Sequence, residues 1–185
     1  MKRLLVSAAL AALIAGPAFG ALPVGAKAPE FSTQASMGGK VFKFDLKSAL
    51  KKGPVVLYFY PAAFTPGCTF EAHEFADATD AFKTLHATVI GVSKDGIDKL
   101  NKFSVSECRS KFAVAADPDG TVIKDYDVSL QLPPKMGGRE VANRTSFVIT
   151  PDGKVAYEYT SLDPSKHVEN TMAAVKAWKA AHGGA

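Results

Sequence analysis

The 185-residue chain is poor in the features that announce a metal or a bound cofactor: two cysteines, four histidines, and no glycine-rich phosphate loop or flavin fingerprint. Cys68 and Cys108 are too far apart in sequence to form the Cys-x-x-Cys pair of dithiol exchange. His73 follows Cys68 by five residues, about 140° around a helix, so the two do not share a face as metal ligands would. His86, His167 and His182 have no ligand spacing either, and neither a metal nor a cofactor is expected. Charge of one sign does not accumulate: beyond Lys51-Lys52 there is no basic run or stripe, so a formal charge of +4 implies no nucleic acid or other polyanion as partner. Repeats and low-complexity segments are also missing.

Hydrophobic runs long enough to span a membrane are lacking. The N-terminus has Lys2 and Arg3, an apolar stretch from Leu4 to Ala15, and small residues at Ala18 and Gly20, which together read as an export signal cleaved after Gly20. Its apolar core is shorter than the roughly 20 residues of a span. A retained anchor is the alternative reading. Residues 1–20 are thus expected to be a signal peptide and 21–185 a single, soluble, periplasmic or otherwise exported domain with no stable membrane association. Removing the signal lowers the formal charge to +2, with 20 basic against 18 acidic side chains. An apolar content of 47% over the whole chain is enough for one core.

Val55 to Tyr60 is an unbroken apolar run rich in β-formers, as in a strand covered on both faces, and Pro61 ends it. Phe75, Ala78, Phe82 and Leu85 then recur at helical spacing from Cys68 to about Leu85, and Thr88 to Ser93 is a second short strand. A helix is expected from Ile97 to about Cys108, and an extended segment from Phe112 to Ala116 before the Asp117-Pro118-Asp119-Gly120 turn. Pro151-Asp152-Gly153 separates strands Thr145–Thr150 and Lys154–Thr160, with Tyr157 and Tyr159 on one face. Asp163-Pro164 opens a closing helix ended by Gly183, whose stripe of Val168, Met172, Val175 and Trp178 reads as core. Phe31 to Leu46, broken at Met37-Gly38-Gly39, reads as an N-terminal hairpin. These elements form an α/β sandwich with an open mixed sheet and helices on both faces.

Two cysteines in an exported chain would ordinarily mean a structural disulfide. The setting of Cys68 argues otherwise: a buried-type strand stops, a Pro/Gly turn follows, and a patterned helix begins with the thiol in its first turn. Unpaired N–H groups and the helix dipole favour a thiolate there, and the thiolate is the nucleophile. Ionisation alone is a small gain, because an ordinary thiol is already a few per cent ionised near neutral pH and the remaining gain is about 20- to 30-fold. Other groups must face the sulfur and stabilise charge as a bond breaks.

Pro61, Thr65 and Cys68 reproduce the Pro-x-x-x-Thr-x-x-Cys signature of peroxiredoxins, and Tyr58 to Phe75 resembles the bacterioferritin-comigratory, PrxQ-like branch of that family. The resemblance runs from about Val24 to the C-terminal helix and implies an elaborated thioredoxin-like fold. It further implies a thiol peroxidase that reduces hydrogen peroxide and organic hydroperoxides through a sulfenic acid on Cys68, with a thioredoxin-like thiol as reductant. By the same resemblance Thr65 positions the peroxide, Arg144 supplies the cation, Glu71 orients that arginine, and Pro61 shields the sulfur. The residues allow plainer roles: a turn or N-cap threonine at Thr65, and an acid near a helix N-terminus at Glu71. Arg109 and Arg139 compete with Arg144 but read as surface residues. Many PrxQ-like chains place a resolving cysteine five residues after the first, where this chain has His73. That leaves Cys108, in the element where another group of the family carries it, or an outside thiol. A thiol-disulfide oxidoreductase acting on exported proteins, and a binding domain with a structural disulfide, are the competing readings.

Overall fold

The computed structural model describes residues 20–182, so the expected signal peptide and the stop at Gly183 lie outside the described residues. Fourteen strands and α-helices follow one another: β1 (Ser32–Met37), β2 (Lys40–Asp45), α1 (Leu46–Leu50), β3 (Val55–Phe59), α2 (Pro66–Thr84), β4 (Thr88–Ser93), α3 (Ile97–Ser106), β5 (Ala113–Ala116), α4 (Thr121–Asp125), β6 (Ser129–Gln131), β7 (Glu140–Ala142), β8 (Thr145–Ile149), β9 (Val155–Thr160) and α5 (His167–His182). Seven strands make one sheet in the order β2-β1-β5-β4-β3-β8-β9, and β6 pairs with β7 separately. β3, β4 and β5 are parallel, whereas β1, β2, β8 and β9 join antiparallel, so the sheet is mixed as the sequence implied.

Every residue of β3 is buried, because the strand lies mid-sheet with an apolar layer on each face. One layer gathers Leu57, Phe59, Tyr126 and Phe147 with residues of α1 and α4. The other gathers Tyr58, Tyr60, Phe75, Phe82, Leu100 and Phe103 with residues of α2, α3 and α5, and it contains both cysteines. The N-terminal hairpin is present: Gly38 and Gly39 both have positive φ, which a two-residue turn matched to strand twist requires.

The structure corrects the sequence reading at several ends. α3 stops at Ser106 rather than near Cys108, because Arg109 and Ser110 take left-handed backbone angles (φ 49° and 56°) that cannot continue a helix. Phe112 lies just outside β5. In α5 the fully buried side chains are His167, Thr171 and Val175, while Met172 and Trp178 are only half-buried and Trp178 stacks on His182. The helix thus turns a partly polar face inward. α1, α4 and the β6–β7 pair were not anticipated; elements of three to five residues are too short for periodicity to register.

Candidate active site

Chain topology brings residues 61–68 and residue 144 together. β8 pairs antiparallel with β3 so that Phe59 faces Thr145, which puts Arg144 beside the end of β3 where the turn into α2 begins. Pro66 stands at the start of α2, where its missing N–H costs nothing, and Cys68 occupies the helix's first turn. Cys68 is buried. Gly67 leaves room for the arginine, since a Cβ there would stand 3.2 Å from Arg144 Nη2.

Arg144 is itself buried and its donors are shared three ways: Nη2 donates to Cys68 Sγ at 3.4 Å, Nη1 donates to Glu71 Oε2, and Nε donates to the Leu162 carbonyl at 3.0 Å. A planar guanidinium fixed by two such anchors holds its third edge against the sulfur, which a lysine could not reproduce. Glu71 is fully buried, and burial pushes its carboxyl up to about 8 against the pull of Arg144. Behind it stands His167, which burial pushes down to about 4. Its Nδ1 is 2.8 Å from Ser146 Oγ, and its Nε2 is 2.9 Å from the Ser161 carbonyl.

Thr65 is the N-cap of α2 but makes no side-chain cap bond; its hydroxyl donates to the Ala62 carbonyl at 2.9 Å. Among the described residues it makes no hydrogen bond to the sulfur. With its proton committed to Ala62, its oxygen is left to accept a hydrogen bond from outside. The loop is braced from β4: Asp95 Oδ2 accepts from the Ala63 N–H at 2.6 Å and from Ser93 Oγ at 3.0 Å. Pro61 is half-buried and lines a cavity of about 220 Å³ with Lys94, Asp95 and the exposed Arg139.

Cys108 lies away from this polar cluster. It is fully buried, its thiol is free like that of Cys68, and burial, with the charge of Glu107 adding to it, pushes that thiol well up. Three side-chain contacts pin its segment to α2: a hydrogen bond between His73 Nε2 and Glu107 Oε2 at 2.9 Å, and ion pairs of Arg109 Nη1 with Asp77 Oδ1 at 2.6 Å and of Lys111 Nζ with Asp80 Oδ2 at 3.3 Å. Residues 73, 77 and 80 lie along one helical face and meet every second residue of the segment. Tyr58 and Tyr60 are buried in the same cluster as both sulfurs, and among the described residues their hydroxyls have no hydrogen-bond partner.

Of the residues singled out by sequence, the structure brings Cys68, Arg144 and Glu71 into direct contact, sets Pro61 and Thr65 in the turn before them, and leaves Cys108 outside that contact, in the apolar layer it shares with Cys68. Sequence reasoning missed His167, Ser146 and Asp95. Only the i, i+4 pair His167 and Thr171, a polar line on a helix otherwise read by its apolar stripe, could have pointed to the first. Among the described residues no group of three metal-ligating side chains converges, and no helix is long and apolar enough to cross a membrane.

A mixed sheet flanked by helices, with one buried cysteine opening a helix under an arginine, defines a thiol-based redox protein. The AhpC/TSA family model matches residues 24–158. A putative peroxiredoxin of Mycobacterium tuberculosis is 37% identical over 133 residues, covering 71% of this chain and 84% of the relative. Peroxiredoxin Bcp of Bacillus subtilis is 31% identical over 156 residues, covering 84% and 96%. The crystal structure of peroxidoxin BcpB from M. tuberculosis superposes with a TM-score of 0.73 at 33% identity, covering 83% of this chain and 96% of that one. The chain belongs to the AhpC/TSA family. Its fold is the thioredoxin-like fold of peroxiredoxins, and it is a thiol peroxidase.

Proposed function

We propose that Cys68 attacks the terminal oxygen of hydrogen peroxide or an organic hydroperoxide, that Arg144 stabilises the charge shifting from sulfur to the departing oxygen, and that Thr65 accepts a hydrogen bond from the peroxide. The observation that carries this is the Arg144 guanidinium bridging Cys68 Sγ and Glu71 in the first turn of α2. Donors aimed at developing charge in a water-poor site supply the largest single share of such a rate enhancement. As the S–O bond forms and the O–O bond breaks, the peroxide's proton passes to the leaving oxygen, leaving sulfenate on Cys68 and releasing water or an alcohol. Pro61 keeps the sulfur dry and ends β3.

Cys108 then resolves the sulfenic acid by forming a disulfide with Cys68, and a thioredoxin-like thiol reduces the bridge. Both cysteines lie in one apolar cluster on one face of the sheet, which supports this route. Its cost is opening: the first turn of α2 must unwind and the Cys108 segment must leave its three side-chain contacts with α2. That pinning favours a second reading, resolution by an outside thiol. Cys108→Ser separates the two. With one equivalent of peroxide the variant should oxidise Cys68 at the parent rate and accumulate a dimedone-reactive sulfenic acid, while thioredoxin-driven turnover falls at least about tenfold, the effect of losing an intramolecular partner. Unchanged turnover would assign resolution to an outside thiol. The N-terminal Lys2-Arg3 and Leu4–Ala15 pattern supports export with cleavage after Gly20, which mass spectrometry of the mature protein tests.

A further inference from the structure

Glu71 has two carboxyl oxygens and only one is used. Oε2 accepts from Arg144, whereas Oε1 is buried without a hydrogen-bond partner. The polar atom facing it is His167 Nδ1 at 3.7 Å, and His167 is itself fully buried. The state of that nitrogen follows from its surroundings. Nε2 lies 2.9 Å from the Ser161 carbonyl, which can only accept, so Nε2 carries a proton. In the neutral ring Nδ1 then holds a lone pair, and Ser146 Oγ, 2.8 Å away, donates to it. A lone pair on nitrogen and an unprotonated carboxylate oxygen would repel across this gap. One proton on Oε1 turns the repulsion into attraction.

We propose that Glu71 holds a proton on Oε1 whenever Cys68 carries negative charge, and that His167 is the positioning residue that faces this proton and keeps it there. The inference rests on the reading of Cys68 as a thiolate nucleophile. Its basis is a charge count: Cys68, Glu71 and Arg144 form one buried set in which a single cation serves two acids. With the thiolate present, a neutral Glu71 leaves the set uncharged; an ionised Glu71 leaves an uncompensated buried negative charge, which is costly. The other groups around the set supply no second cation. On β9 the ring of Tyr159 packs edge-on against His167 at 4.9 Å, and on β3 Tyr58 is buried and its hydroxyl held neutral by burial. Before α5 the exposed Asp163 adds negative charge toward both Arg144 and His167, and Lys166 is engaged by Glu169. Burial raises Glu71 and lowers His167, the directions that a protonated carboxyl and a neutral imidazole require.

The proton remains on Glu71 through the attack on peroxide, because thiolate and sulfenate carry the same charge. It leaves when the sulfur becomes neutral. Sulfenate, the Cys108 thiol and the Glu71 carboxylic acid give a disulfide, one water and the Glu71 carboxylate, with atoms and charge in balance. Arg144 then pairs with Glu71 alone.

Infrared difference spectroscopy on the whole protein tests this directly. Reduced parent protein near neutral pH should show a buried carboxylic-acid C=O band that shifts in D₂O and is absent from Glu71→Gln. The band should weaken in Cys68→Ser, where the anion that adds to burial in keeping Glu71 protonated is gone. His167→Leu should shift or abolish the band, slow peroxide attack at neutral pH severalfold, and displace the pH profile of that step, while His167→Gln, which keeps a polar group facing Oε1, restores part of the rate. No carboxylic-acid band in the reduced parent, an undiminished band in Cys68→Ser, or a His167→Leu profile matching the parent would each overturn the proposal. The parent and Cys68→Ser spectra decide it even if His167→Leu fails to fold. Loss of turnover in Cys68→Ser without any change in the band would sink the inference and leave the peroxidase reading standing.

Discussion

Cys68 and Cys108 sit in one apolar cluster under one sheet, yet their polar neighbours are opposite in kind. Around Cys68 the charges are buried and aimed at the sulfur: Arg144 touches it, Glu71 holds Arg144, and His167 backs Glu71. Around Cys108 the charges are half-buried to exposed and aimed past the sulfur, joining one piece of chain to another while the thiol itself lies in the apolar cluster. Buried charges cannot be screened and so govern chemistry; exposed pairs contribute little each and so govern how readily a segment lifts. The same residue type is thereby prepared in one place to react and in the other to wait.

The largest break in this contrast should come from Arg144→Lys. The charge survives but the fork does not, and peroxide attack measured by stopped flow should slow by about 10²- to 10³-fold, the cost of one oxyanion-type donor. A loss under about fivefold would mean that the guanidinium geometry around Cys68 is not what sets it apart. A smaller effect of opposite sign is expected at the other cysteine. Asp77→Asn combined with Glu107→Gln weakens two of these contacts, each worth up to about 1 kcal/mol. Disulfide formation after a single-equivalent peroxide pulse should then quicken about fivefold while the first oxidation stays unchanged. An unchanged second step would show that the pairs do not restrain Cys108.

The smallest effect is on stability and sharpens the contrast by pH. His167 titrates at about 4 folded against 6.5 for an ordinary histidine, so between those values the unfolded chain binds a proton that the native state refuses. Its contribution is full above about pH 6.5 and is lost as pH falls toward 4. Glu71 has the reverse sign: raised from 4.5 to about 8, it costs stability progressively as pH rises through that range. The melting temperature of the parent should drop by a few degrees more than that of His167→Gln between pH 7 and pH 5. Parallel curves would show that His167 is not held neutral.

Much of this could be read in the residues. The runs at Val55–Tyr60 and Thr88–Ser93 and the spacing after Cys68 are strong because mid-sheet strands and a long packed helix leave regular apolar marks. The Pro61, Thr65, Cys68 register marked the turn that opens α2, and Arg144 came from the family resemblance; the pairing of β8 with β3 explains why the two lie together. What stayed hidden is polar and long-range. His167 is 99 residues from Cys68 and lies on a helix whose inward face carries histidine and threonine, so a search for apolar periodicity chose Met172 and Trp178 instead. Glu71 allowed two roles by spacing; only its burial separates them. The ion pairs along α2 were equally invisible, since each joins residues more than 30 positions apart.

The left-handed angles at Arg109 and Ser110 have a mechanical outcome. Each holds a non-glycine residue in a conformation costing on the order of 1–3 kcal/mol, and that energy is returned when the segment lets go. Backbone recoil and side-chain grip oppose one another beside Cys108. In the proposed route through Cys108 this recoil offsets part of the grip, so the segment opens toward an oxidised Cys68 at less cost than the side-chain contacts alone would set.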